Sequence, residues 1–273
     1  MSIRKLVKKI LSKMKVVEPF PIPVLETQLL KGKIALIAGG SGGIGFAIAE
    51  SFVKSGCFVV LLGTKKEKLE ECCEKLGNDV AKYIVSDLSN VSEHQSIVKR
   101  AATFFDDKGR IDILVNSAGL HTKQVFGEVE EKTWDSIIDI NLKSVYFMSQ
   151  YVSQYMKDKS IKGNILNISS ASALKPGWTP YEISKAGVES LTRGLADELV
   201  QYGIVVNAIG PGPVATPMLN REGNDLSVNN LVGRMAAPEE IGQWATYMVS
   251  DMGQLVIGDT IYISGGSGVI KLR

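Results

Sequence analysis

Tyr181 and Lys185 lie four residues apart in an amphipathic run, so a helix there sets a phenol and an ammonium one turn apart on one face. A tyrosine with its ordinary pKa of about 10 is a poor acid at neutral pH, and a neighbouring ammonium stabilises the phenolate and lowers that value. Such a pair can exchange a proton with the oxygen of a carbonyl or an alcohol. The same spacing is common on solvated helices, so its meaning depends on what else the chain carries.

A second chemical signal precedes it. The stretch Ala38-Gly39-Gly40-Ser41-Gly42-Gly43-Ile44-Gly45 follows an apolar run and opens a helical pattern over 46–53. Glycines between a strand and a helix let the backbone turn sharply, bring its amides up to a pyrophosphate, and aim the positive end of the helix at that anion. The candidate cofactor contacts here are Gly39, Ser41, Gly42, Gly43, Ile44 and Gly45, the alternative being a tight turn that is merely flexible. The next apolar run ends Leu61-Leu62-Gly63-Thr64-Lys65-Lys66. An NAD site usually places a carboxylate here to accept from the adenosine ribose hydroxyls, and that carboxylate would repel a 2′-phosphate. Gly63 has none. Thr64, Lys65 and Lys66 can hold a phosphate instead, which favours NADP over NAD, unless the lysines simply open a solvated helix. Asp87 and Leu88 either position adenine or cap a helix. Asn116-Ser117-Ala118-Gly119 supplies small residues where a backbone must pass close to a cofactor, or else makes a plain strand-to-helix turn.

These groups need a frame that gathers them along one edge. Apolar runs near 33–38, 57–62, 80–85, 111–115, 163–168, 204–209 and 259–263 alternate with longer amphipathic ones. The alternation predicts an α/β protein: a single doubly wound (Rossmann) domain over 32–273 with about seven parallel strands flanked by helices. The segment 213–237 breaks the periodicity and is the expected substrate lid. Residues 1–31 form an appendage. Ile3, Leu6, Val7, Ile10, Leu11 and Met14 fall on one helical face with lysines around the other, and proline-rich 18–24 follows as an extended link. This amphipathic start is too broken by lysine for a secretory signal; it reads as a packing helix or subunit arm, an in-plane anchor on anionic lipid, or a disordered tail.

The composition narrows the function class. The chain has 273 residues, 45% hydrophobic and 22% charged, enough for one large domain. Basic and acidic residues, 31 and 29, nearly cancel to a net charge of +2, so no global field favours nucleic acid and a small-molecule partner is expected. No apolar run reaches membrane-spanning length. Cys57, Cys72 and Cys73 make neither a disulfide framework nor metal-ligand spacing, which suggests a reduced cytoplasm and no metal.

Taken in order, the glycine pattern at 39–45, Asn116-Ser-Ala-Gly119, Asn141, the serines after Ile168, Tyr181-x-x-x-Lys185 and Pro211-Gly212 resemble the short-chain dehydrogenase/reductase family, including its 3-oxoacyl-carrier-protein reductases, over about 32–266. The resemblance implies a catalytic tetrad of Asn141, Ser170, Tyr181 and Lys185. In it Tyr181 is the general acid in reduction and the base in oxidation, Ser170 holds the carbonyl oxygen, Lys185 binds ribose and lowers the tyrosine pKa, and Asn141 holds a water for proton relay. Pro211, Gly212, Val214 and Thr216 match the segment that contacts nicotinamide. The chain departs from the pattern in three places. Ala38 stands where threonine is usual, Ser117 replaces a common second asparagine, and the interval of eleven from Ser170 to Tyr181 is about two short. The short interval leaves Ser169 as the alternative serine and implies a tight loop with Trp178 either beside the substrate or acting as a structural plug. His121 either lines the pocket mouth or is incidental. The implied activity is NADPH-dependent hydride transfer between nicotinamide and a ketone or secondary alcohol. An NAD-linked alcohol or sugar dehydrogenase and a catalytically silent nucleotide-binding scaffold are the alternatives. Helices near 130–157 and 178–202 are expected to pair across a two-fold axis in a homodimer or homotetramer. The expected location is cytoplasmic, peripheral at the membrane surface if residues 1–15 lie on lipid.

Overall fold

Each apolar run of the sequence is a strand in the computed structural model, which describes residues 28–216 and 231–268. The amphipathic start, the proline-rich link and the central part of the expected lid lie outside the described residues. The strands are β1 (Ile34–Ala38), β2 (Phe58–Gly63), β3 (Ala81–Val85), β4 (Ile113–Asn116), β5 (Asn164–Ile168), β6 (Val205–Pro211) and β7 (Thr260–Ile263). They form one parallel sheet in the order β3-β2-β1-β4-β5-β6-β7. Strand order reverses between β1 and β4, and ligands of such sheets bind at the carboxyl ends of the strands beside that switch point.

Seven helices cover the two faces among the described residues: α1 (Gly43–Lys54), α2 (Lys66–Leu76), α3 (His94–Ala102), α4 (Glu131–Ile138), α5 (Ser144–Asp158), α6 (Pro180–Leu199) and α7 (Pro238–Met248). Side chains of a strand alternate between faces, and β1 shows the consequence. Ile37 enters one apolar layer with Ile48 and Phe52 of α1 and Ile241 of α7. Leu36 enters the other with Val98 of α3, Met148 of α5 and Leu199 of α6. Burial on both faces is why β1, β4, β5 and β6 read as continuous apolar runs. Helices α1 and α7 approach until a β-carbon at Gly242 would lie 2.5 Å from the Ala47 carbonyl oxygen, so glycine is required there. Ser51 and Thr246 share a hydroxyl hydrogen bond of 2.7 Å beside that contact. Among the described residues no helix is long and apolar enough to cross a membrane.

Candidate active site

The turn after β1 builds the floor of a cleft of about 930 Å³ at the switch point. Gly39 has φ +76°, in the left-handed region, and a β-carbon on it would lie 2.6 Å from Ala118 N. One on Gly45 would lie 2.2 Å from the Gly39 carbonyl oxygen. These two glycines therefore serve close backbone packing, and that packing brings the start of α1 to the cleft. Gly42 opens α1 without a side-chain cap, and no acidic residue lies in the first turn. The helix thus presents unpaired N–H groups and the positive end of its dipole to the cleft, an arrangement suited to a pyrophosphate. Ser41, Gly43 and Ile44 line the same wall.

The adenosine-side expectations separate in the structure. Thr64, Asp87 and Leu88 line the cleft. Asp87 Oδ1 accepts from the amide and hydroxyl of Ser89 at 2.9 and 2.8 Å, so it closes a local turn and does not cap α3. Lys65 is the residue preceding α2 and stands outside the cleft wall, while Lys66, 60% exposed, pairs with Glu70 at 3.5 Å. The cations on the wall are Lys68 of α2 and Lys132 of α4, neither of them among the expected contacts. A β-carbon on Gly63 would sit 3.0 Å from Ser41 Oγ, so a side chain at 63 would crowd that hydroxyl. Ala118 and Gly119 line the cleft, whereas Asn116 points inward and donates to Asn167 Oδ1 at 2.9 Å and Ser149 Oγ at 3.1 Å. It braces β4 against β5 and α5 below the cleft.

Three of the four expected catalytic side chains converge at the ends of β5 and α6. Helix α6 begins with Thr179 as N-cap, Pro180 in the first turn and Glu182 completing a capping box, so Tyr181 is fixed in the opening turn. Ser170 starts a short turn at Ala171–Leu174, and its Oγ accepts from Ser172 N at 3.1 Å. This turn takes up the shortened loop. The Tyr181 phenol is pushed above its ordinary range by burial; the hydrogen bond from Ser170 opposes that shift and the charge of Glu182 adds to it. Lys185 stands one helical turn beyond Tyr181 on α6. The ammonium lies 6.0 Å from the centre of the Tyr181 ring and donates to the Ile168 carbonyl at 2.8 Å. Burial pushes Lys185 itself down to about 8.

Asn141 occupies a π-helical turn, Asp139–Lys143, that joins α4 to α5. Fully buried, it donates to the Leu120 carbonyl at 2.9 Å and Ser184 Oγ at 3.2 Å and accepts from Leu120 N at 2.7 Å. In this structure it ties the loop after β4 to α6. A β-carbon on Gly119 would lie 3.7 Å from both Asn141 Oδ1 and Lys185 Nζ, so the three residues adjoin. The His121 ring packs edge-on against Tyr181 with centroids 4.7 Å apart. Trp178 is 63% exposed and is not a plug. The hydroxyl of Ser169 turns away from the cleft to Lys185 O and Glu189 Oε1, at 3.2 and 3.1 Å. Thr216 lines the cleft, Val214 bridges to Ala236, and Gly212 passes so near Ser264 that a β-carbon would lie 2.7 Å from its Cα. Pro211 ends β6.

Residues 33–227 match the profile of the short chain dehydrogenase family. The chain is 35% identical over 246 residues to a 3-oxoacyl-[acyl-carrier-protein] reductase of Thermotoga maritima, covering 87% of this chain and 98% of that one. It is 34% identical over 253 residues to a 2-dehydro-3-deoxy-D-gluconate 5-dehydrogenase of Dickeya dadantii, covering 89% and 98%. A solved short-chain dehydrogenase/reductase from Serratia marcescens superposes with a TM-score of 0.80 at 30% identity, over 88% of this chain and 99% of that one.

Proposed function

The chain belongs to the short-chain dehydrogenase/reductase family of oxidoreductases, and from that membership we propose that it moves a hydride between NADPH and a ketone or secondary alcohol through Asn141, Ser170, Tyr181 and Lys185. The observation that carries this reading is Tyr181 in the opening turn of α6 with Lys185 one turn behind it, the ammonium 6.0 Å from the phenol ring and bonded to Ile168 O two residues before Ser170, adjoining a glycine-floored cleft. When bound, the nicotinamide cofactor supplies or accepts the hydride. The protein's own part is binding and proton handling. The start of α1 would hold the pyrophosphate, Thr64 and Lys68 with neighbouring Lys65 would hold the 2′-phosphate, Asp87, Leu88, Ala118 and Gly119 would line the adenosine side with Asn116 bracing the strands beneath, and Pro211, Gly212, Val214 and Thr216 would face the nicotinamide. Ser170 Oγ donates to the substrate oxygen, and Tyr181 gives that oxygen a proton in reduction or takes one in oxidation.

Family members act on small molecules and commonly oligomerise, and the same is proposed here, with α5 and α6 as the pairing helices. The named relatives act on an acyl-carrier-protein-bound 3-oxoacyl group and on a sugar acid, so the substrate class spans both. Three free, buried cysteines suit a reduced cytoplasm. The test is a panel of carbonyl and alcohol substrates assayed with both cofactors. Expected is turnover with at least about a tenfold preference for NADPH, roughly 1.4 kcal/mol. Equal or better efficiency with NADH would overturn the cofactor assignment, and binding of NADPH without any turnover would favour the scaffold reading.

A further inference from the structure

Side chains from α6 and the sheet meet behind the reaction centre in a way that the proposed chemistry does not use. Glu189 follows Lys185 by one helical turn and is only 8% exposed. Its Oε1 accepts from Tyr262 of β7 at 2.7 Å and from Ser169, just past β5, at 3.1 Å. Between those strands lies β6, and the Tyr262 ring crosses it at Gly210, where a β-carbon would come within 2.5 Å of the ring. Glycine at 210 is therefore what lets Tyr262 reach the carboxylate.

A buried carboxylate is costly without donors, and two strands supply them here. Ser169 is pinned twice: its amide donates to Ile209 O at 2.8 Å, and its hydroxyl is shared between Glu189 and the Lys185 carbonyl, 3.2 Å away. On one side of Ser169, Ile168 O receives the Lys185 ammonium; on the other stands Ser170, the partner of Tyr181. Residues 168–170 and Lys185 are thus held together from the cleft side by an ammonium and from behind by a carboxylate.

We propose that Glu189 is a positioning residue of the reaction centre: gripped by Tyr262 and Ser169, its carboxylate fixes the end of β5 against α6 and thereby sets Ser170 and Lys185 relative to Tyr181. The proposal rests on the Ser170–Tyr181 reading given above. Glu189 touches neither cleft nor reacting atoms, and its effect is geometric, since a displacement near 1 Å in such a site costs on the order of 100-fold in rate.

The experiment compares Glu189→Gln, which keeps an accepting oxygen, with Glu189→Leu, which has similar bulk and no acceptor, and with Tyr262→Phe. Turnover, NADPH affinity and thermal unfolding are measured, together with the Tyr181 phenol titration, followed by absorbance as the difference from each protein's Tyr181→Phe counterpart. Expected is a kcat for Glu189→Leu reduced by about tenfold or more, with NADPH Kd within about threefold, and a Tyr181 titration moved further upward as the grip of Ser170 loosens. Glu189→Gln should restore both, and Tyr262→Phe should fall between. Wild-type kcat and titration in a folded Glu189→Leu overturn the proposal, as does a Glu189→Gln as impaired as the leucine variant. If Glu189→Leu does not fold, Tyr262→Phe decides by the same readouts, with wild-type behaviour counting against. A wild-type protein inert on every substrate would refute the reading of the function instead, and the titration would then decide on Glu189 by itself.

Discussion

Lys185 carries its charge in a place that opposes it, and that makes a prediction about pH. Burial lowers it from 10.5 to about 8. Between those values the unfolded chain holds the proton and the folded chain does not, so this group makes stability rise with pH across that window. Below pH 8 the cost of the buried ammonium is present in full. Lys185→Met should therefore be more stable than wild type at pH 7, by at most about 3 kcal/mol less about 1 for the lost bond to Ile168, with the gap closing toward pH 10. Urea unfolding at the two pH values checks this, and equal stability at pH 7 would refute it. Tyr181 makes a different prediction. Its phenol is the exchangeable proton of the site, so Tyr181→Phe should leave less than about a tenth of wild-type turnover with cofactor Kd changed by less than about twofold. A phenylalanine variant that kept more than about a tenth of the wild-type turnover would remove Tyr181 from the mechanism.

At the scale of elements, the start of α2 decides which lysine matters. Lys65 and Lys66 looked equivalent in the sequence, but helix geometry turns Lys66 to Glu70 and brings Lys68 onto the cleft wall beside Thr64. The Lys66–Glu70 pair is exposed and worth little to stability. Lys68→Ala is expected to weaken NADPH binding about tenfold while changing NADH binding little, and the double change Lys65→Ala, Lys66→Ala should do less. Titrations with both cofactors measure the contrast. A uniform loss for NADPH and NADH on Lys68→Ala would mean that the lysine supports the helix and not a phosphate.

For the whole molecule the open question is association. All cofactor and catalytic candidates lie at or after Gly39, and β1 begins at Ile34, so deleting residues 1–24 should leave a folded protein with its turnover unchanged. What should change is either flotation with anionic vesicles, lost in high salt because Lys5, Lys8, Lys9 and Lys13 supply the attraction, or the oligomer mass. Unchanged mass, stability and vesicle behaviour would exclude both roles. Loss of turnover on truncation would show that the appendage is part of the catalytic body.

Seven strands, their parallel arrangement and the glycine turn were legible from the chain alone, because burial on both faces makes the central strands largely apolar runs and because only glycine suits the backbone approaches at Gly39 and Gly45. The identities of the candidate site residues were legible too, since Tyr, Lys, Ser and Asn are the types whose protons and lone pairs such chemistry needs. Which way each side chain faces was not. That Ser170 meets Tyr181 while Ser169 turns to Glu189, that Asn116 points into the core, and that Lys68 lines the cleft in place of Lys65 depend on how α2, α6 and β5 are rotated against one another. The state of Lys185 belongs to the same class. Sequence spacing put an ammonium one turn from a phenol, but desolvation and a backbone carbonyl, both products of tertiary packing, determine its charge and its direction.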